Sequence, residues 1–171
     1  VPPETPAGAI HDGKPVTTIG DRLKMGHMPP WFELDRERAK GEPLKRITIQ
    51  DLGPRFILLS VPSLDTPVCD EEAKRFGELS QEVPDYKILI ASMDLPFAQR
   101  RWLEEHNSPL EAGSDHRAGS FGQAYGVLMK EPRLLMRAVF VARDGYLKHC
   151  EYIHDSAKQV DFDAAIAAAK K

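Results

Sequence analysis

Cys69 ends the stretch Val61-Pro62-Ser63-Leu64-Asp65-Thr66-Pro67-Val68-Cys69, which joins an apolar run to a segment with helical periodicity. A cysteine in the first turn of a helix lies near the positive end of the macrodipole and close to unpaired backbone N–H groups. Both favour thiolate over thiol, and the thiolate is the nucleophile. Thr66 is spaced so that its hydroxyl reaches the sulfur or an incoming oxygen. Pro62 and Pro67 stiffen the loop and remove two N–H groups that would otherwise need partners. Asp70, Glu71 and Glu72 suit a helix N-terminus yet disfavour a neighbouring thiolate, so a cation must offset them. Arg137, in Leu134-Leu135-Met136-Arg137-Ala138-Val139, fills that need. A guanidinium in an apolar strand demands an anionic or carbonyl partner, and a thiolate or Glu72, one helical turn beyond Cys69, would serve. The competing readings are a small apolar Cys sharing a helix face with Ala73 and Phe76, and an Arg paired with any nearby carboxylate.

The remaining chemistry-bearing residues are sparse. Two cysteines, Cys69 and Cys150, exclude a disulfide framework and four-Cys zinc ribbons, and fit a reducing, cytoplasmic compartment. His149, Cys150 and His154 cluster on or after a strand, but a closed zinc site needs a fourth ligand that nothing signals. No metal and no cofactor are therefore expected. A Cys-His hydrolase would need a histidine to activate Cys69, and His27, His106, His116, His149 and His154 lie in no recognisable motif. Arg137 cannot act as the base, because its proton is held too tightly.

The elements that must position these groups read as follows. Arg55 to Val61 is a continuous apolar run, the mark of a strand buried on both faces. Asp70 to Gln81 has helical periodicity with Ala73, Phe76 and Leu79 on one face. Tyr86 to Met93 is a second apolar strand; Asp94 then caps a helix that holds Pro96 and runs to about Glu105. Ser120 to Tyr125 is a short helix ended by Gly126. Leu134 to Ala142 and Tyr146 to Ile153 are strands joined at Arg143-Asp144-Gly145, and Asp161 to Lys171 is the closing helix. The first 30 residues hold six prolines and four glycines, which predicts an extended arm with short edge strands, Lys14 to Ile19 being the clearest, and residues 1–13 as an extended arm. βα units followed by a β-hairpin and a helix predict an α/β domain spanning 1–171, with a mixed sheet covered by helices.

The chain has 171 residues, 42% hydrophobic, with 23 Lys+Arg against 26 Asp+Glu and a net charge of −3. That supports one real core and argues against nucleic-acid or anionic-membrane partners, which need a basic patch. No stretch approaches the roughly 18 apolar residues of a membrane span. The chain opens on Val1, which leaves room for an initiator Met or a longer leader ahead of it.

Pro62-x-x-x-Thr66-x-x-Cys69 is the peroxidatic motif of the peroxiredoxins. With Ser92-Met93-Asp94-Leu95-Pro96-Phe97-Ala98-Gln99 and Ala124-Tyr125-Gly126-Val127, the chain resembles the bacterial thiol peroxidase branch of that family from about Lys14 onward. The resemblance implies a thioredoxin-like fold with an N-terminal β-hairpin, a homodimer, and reduction of hydroperoxides by a thiol without metal or haem. Cys69 then matches the peroxidatic cysteine, Thr66 and Pro62 the residues that position and shield it, and Arg137 the active-site arginine. The expected product is a Cys69 sulfenic acid.

One position departs from the branch. Its resolving cysteine would fall at Leu103, so the usual disulfide cannot form. Three readings stand: a one-cysteine cycle completed by a thioredoxin-like or low-molecular-weight thiol, Cys150 as resolver, or a peroxide sensor or binding module with little turnover. A strand position for Cys150 weighs against the second. Leu95, Phe97, Trp102 and Phe121 are either walls for an organic peroxide or core, and core is the better reading for each.

Overall fold

The computed structural model describes residues 1–171 as a seven-stranded mixed sheet between two unlike layers. In chain order the strands are β1 (Glu4–His11), β2 (Lys14–Ile19), β3 (Glu33–Arg36), β4 (Lys45–Thr48), β5 (Arg55–Ser60), β6 (Lys87–Ser92), β7 (Glu111–Ser114), β8 (Leu128–Met129), β9 (Leu134–Leu135), β10 (Ala138–Arg143) and β11 (Tyr146–Tyr152). The helices are α1 (Pro67–Leu79), α2 (Pro96–Glu105), α3 (Ser120–Ala124) and α4 (Phe162–Lys170). The large sheet runs β11-β10-β5-β6-β7-β3-β4, with β5, β6 and β7 parallel and the outer pairs antiparallel. A four-stranded sheet, β1-β2-β8-β9, packs beside it.

Strand alternation divides the core. Ile57, Leu59, Val139 and Val141 face α1, α2 and α4, where they meet Phe76, Trp102 and Ile166. Phe56, Leu58, Phe140 and Ala142 face the other way, onto Phe121 of α3 and onto Ala9, Val16 and Leu128 of the small sheet. Burial on both faces explains why β5 and β10 read as unbroken apolar runs. This is the expected α/β architecture, a mixed sheet flanked by helices with an N-terminal hairpin. No helix is long and apolar enough to cross a membrane.

Several expectations need correction. Residues 1–13, read as an extended arm, hold a regular strand: β1 pairs along β2, and a register shift between Thr5 and Ala9 absorbs Pro6. Strand Leu134 to Ala142 is broken at Met136-Arg137, with β9 in the small sheet and β10 in the large one. Leu95, not Asp94, is the N-cap residue of α2. Strands β3, β4 and β7 were not expected. The Asp144-Gly145 turn forms as read, with φ of 53° and 89°, the geometry that suits the twist of a tight hairpin. Gly126 closes α3 at φ 71°, where an added Cβ would stand 2.4 Å from the Asp21 carbonyl oxygen.

Candidate active site

Thr66 has extended φ and ψ and precedes Pro67, the first residue of α1. Proline fits there because a first-turn N–H has no intrahelical acceptor. Cys69 is thus the third helical residue, and neither its N–H nor that of Val68 has a protein acceptor. Its side chain is fully buried against the β5 and β10 face.

The charge problem posed by three acidic neighbours is solved one residue at a time. Asp70 accepts from Trp102 Nε1 at 2.9 Å and pairs with Lys74 Nζ at 2.8 Å. Burial pushes its carboxyl up, but Lys74 and Trp102 outweigh this and hold it below the usual range. Glu71 is exposed to solvent. Glu72 is completely buried and takes a hydrogen bond from Arg137 Nη1 at 2.7 Å.

Arg137 occupies the break between β9 and β10, where the chain crosses from one sheet to the other. The crossing is pinned by Ser60 Oγ donating to the Met136 carbonyl and by Ile153 N–H donating to the Arg137 carbonyl at 2.9 Å. The Arg137 side chain as a whole is 1% exposed. Nη1 stands 3.4 Å from Cys69 Sγ, and Nη2 donates to the Ser156 carbonyl at 2.9 Å. The structure therefore brings Cys69, Glu72 and Arg137 together, and both side chains anticipated as partners of Arg137 lie against it. Burial opposes the Arg137 charge, but Glu72 and Cys69 outweigh it and hold the guanidinium above its ordinary value. Burial pushes the Glu72 carboxyl up to about 7, against the pull of Arg137.

A pocket of about 150 Å³ reaches this cluster at Arg137, with Pro62 and Thr66 also in its wall, and Cys69 and Glu72 lie behind that wall. The Thr66 hydroxyl, expected to reach the sulfur or an incoming oxygen, donates to the Ser63 carbonyl at 3.0 Å, which leaves its oxygen free to accept. None of Leu95, Phe97, Trp102 and Phe121 lines the pocket. Trp102 and Phe121 are core residues on opposite faces of the sheet, whereas Leu95 and Phe97 are exposed. A wider groove of about 530 Å³ runs between α1 and the end of α2, and neither cysteine lines it.

The Ser92 to Gln99 segment acts at one remove. Asp94 carboxylate oxygens accept from Ser63 Oγ (2.6 Å), Leu64 N–H (2.8 Å) and Ser92 Oγ (2.8 Å), clamping the loop that leads to Cys69. Gln99 Nε2 donates to Ser92 Oγ and to the Gly113 carbonyl, both at 2.9 Å, tying the clamp to β7. Leu103 packs into the helical side of the core. No group of histidine, cysteine and carboxylate side chains is arranged to hold a metal, including His149, Cys150 and His154. Sequence reasoning missed His11, which the structure carries from the supposed arm to the pocket wall; the Asp12-Gly13 pair, a tight-turn signal between two extended stretches, was the available clue.

Comparison with known proteins agrees with this geometry. Residues 25–150 match the AhpC/TSA family. A thiol peroxidase of Listeria innocua is 39% identical over 160 residues, covering 92% of this chain and 94% of that protein. One from Halalkalibacterium halodurans is 39% identical over 169 residues, covering 96% and 98%. Among solved structures, a peroxiredoxin-like protein from Aquifex aeolicus superimposes with a TM-score of 0.81 at 30% identity, covering 96% of each chain. A thiol peroxidase from Chromobacterium violaceum gives 0.82 at 19% identity, covering 95% of each, a likeness of fold. With its thioredoxin-like sheet and a buried cysteine set against an arginine, the chain belongs to the AhpC/TSA family, in the thiol peroxidase branch of the peroxiredoxins.

Proposed function

We propose that this thiol-dependent peroxidase reduces hydrogen peroxide and alkyl hydroperoxides at Cys69 in a one-cysteine cycle. The observation that carries the reading is the 3.4 Å contact between Arg137 Nη1 and Cys69 Sγ in a buried site. A cation at that distance, with the free N–H groups of the first helical turn, stabilises the thiolate. The sulfur lone pair attacks the terminal oxygen of R–O–O–H, the O–O bond breaks, and its electron pair leaves on RO⁻. Sulfur is oxidised to the sulfenic acid and the peroxide is reduced. Arg137 donates to the charge that develops on oxygen, and Pro62 and Thr66 wall the pocket that holds the peroxide.

Return to the thiol then falls to an outside reductant, a thioredoxin-like or low-molecular-weight thiol, because Leu103 has no sulfur and Cys150 lies across the sheet. Residence in the cytoplasm suits two unpaired cysteines. A homodimer is part of the same reading. The test is intact mass after one equivalent of hydrogen peroxide or cumene hydroperoxide, with dimedone as trap. A dimedone adduct on Cys69 supports the cycle; a Cys69–Cys150 disulfide or an unreacted Cys69 overturns it.

A further inference from the structure

Attack by Cys69 expels RO⁻, a strong base whenever the product is water or a simple alcohol, and that oxygen needs a proton. The groups described so far do not supply one. Arg137 holds its protons too tightly and is engaged with Glu72 and Ser156. The Thr66 hydroxyl already donates to the Ser63 carbonyl. Glu72 is buried behind Arg137 and forms no part of the pocket wall.

The remaining wall comes from the other end of the chain. His11 and Asp12, at the turn between β1 and β2, line the same pocket as Pro62 and Thr66. His11 Nδ1 lies 2.9 Å from Ser156 Oγ, and the carbonyl of the same Ser156 accepts from Arg137 Nη2. The backbone secures this placement: Ile10 N–H donates to His154 at 2.7 Å and Ser156 N–H donates to Ile10 at 2.9 Å. The side chain is 15% exposed, so the ring is fixed yet open to the pocket. Nε2 is the unengaged nitrogen, 3.7 Å from Asp12 Oδ2, beyond hydrogen-bond reach but close enough for the carboxylate to pair with a charged ring.

Resting on the peroxidase reading, we propose that His11 is the general acid of the reaction, giving its Nε2 proton to the leaving oxygen. As the S–O bond forms and the O–O bond breaks, the departing RO⁻ takes that proton and leaves as ROH. His11 becomes neutral and regains a proton from solvent through the pocket mouth, so no other reactant is needed. Nδ1, bonded to Ser156, keeps the ring oriented through the exchange.

The test compares two oxidants in single-turnover oxidation of the reduced full chain, followed by rapid quench and mass analysis of Cys69. tert-Butyl hydroperoxide must release a basic alkoxide, whereas peracetic acid releases acetate, which needs no proton. His11→Asn puts an amide atom where Nδ1 stands and so retains a partner for Ser156. It is expected to slow the first reaction about 100-fold and the second far less, since general acid catalysis contributes roughly 10²–10⁴-fold only where the leaving group needs it. Equal slowing with both oxidants means a structural role and overturns the proposal, as does no slowing with either. The peracetic acid rate also shows whether the variant is folded. If wild type forms no Cys69 sulfenate with either oxidant, the peroxidase reading itself fails.

Discussion

Cys69 and Cys150 face opposite sides of the central sheet. Cys69 packs with Ile57, Leu59 and Val139 on the helical side. Cys150 stands in register with Phe140 of β10 and packs with it and Tyr152 on the side of the small sheet. A disulfide requires Cα atoms within about 7 Å and converging Cβ vectors, and here a layer of backbone intervenes. Burial also pushes the Cys150 thiol up to about 11, so little thiolate exists at neutral pH to attack a sulfenate. Cys150→Ser should keep peroxide turnover within about twofold of wild type, the scatter of a substitution outside the site. Cys69→Ser should abolish turnover. A coupled assay of peroxide consumption checks both.

Removing the cation should separate activity from assembly. Arg137→Met takes away the donor nearest the sulfur and should slow Cys69 oxidation by about 10²–10³-fold, the usual cost of losing a donor aimed at developing charge. The same change leaves Glu72 buried without a partner and should destabilise the fold by about 3–5 kcal/mol. Stopped-flow oxidation and urea unfolding read the two effects, and a variant with wild-type oxidation rates would contradict the role given to Arg137.

Glu72 predicts a pH dependence whose sign is fixed. Its carboxyl is pushed up to about 7 by burial, against an unfolded value of 4.5. Between those values the folded chain holds more protons than the unfolded one, so stability falls as pH rises through that window. The loss is complete above about 7 and absent below the unfolded value. Its size is on the order of 3 kcal/mol. Glu72→Gln cannot titrate, so the difference in unfolding free energy between wild type and variant should change across pH 4.5–7 and level off outside it.

Asp94 should matter without touching the peroxide. Asp94→Ala frees Ser63, Leu64 and Ser92 together and should destabilise by about 1–3 kcal/mol through unsatisfied donors. Misplacement of the loop before Cys69 should also lower the sulfenate rate by about tenfold or more, because small displacements at a reacting centre are costly. Asp94→Asn keeps an acceptor oxygen and should recover part of both.

The parts legible in the sequence were those whose burial repeats along the chain. β5, β6 and β10 announce themselves as apolar runs, and α1 and α4 by their spacing. β3, β4 and β7 are four residues each, Glu-Leu-Asp-Arg, Lys-Arg-Ile-Thr and Glu-Ala-Gly-Ser, and become strands only by pairing with one another or with β6. No local pattern encodes that. Cys69 and Arg137 were legible because a nucleophile at a helix start and a cation in an apolar stretch each break a rule. His11 breaks none, since a histidine beside a turn is ordinary until the fold carries the turn 145 positions along the sequence to Ser156. The break at Arg137 was hidden because apolar residues continue across it while the chain changes sheets.

Those separations also bear on the protein before it is finished. Cys69 and Arg137 are 68 positions apart, and the Ile10 clasp reaches to His154 and Ser156. Contacts so distant close late, and a chain emerging from its N-terminus displays the cysteine well before the arginine exists. On the proposed reading a nascent chain carries an ordinary thiol, and its sulfur acquires its reactivity only as the fold completes. Half-made copies are thereby spared oxidation by the peroxide that the mature protein consumes.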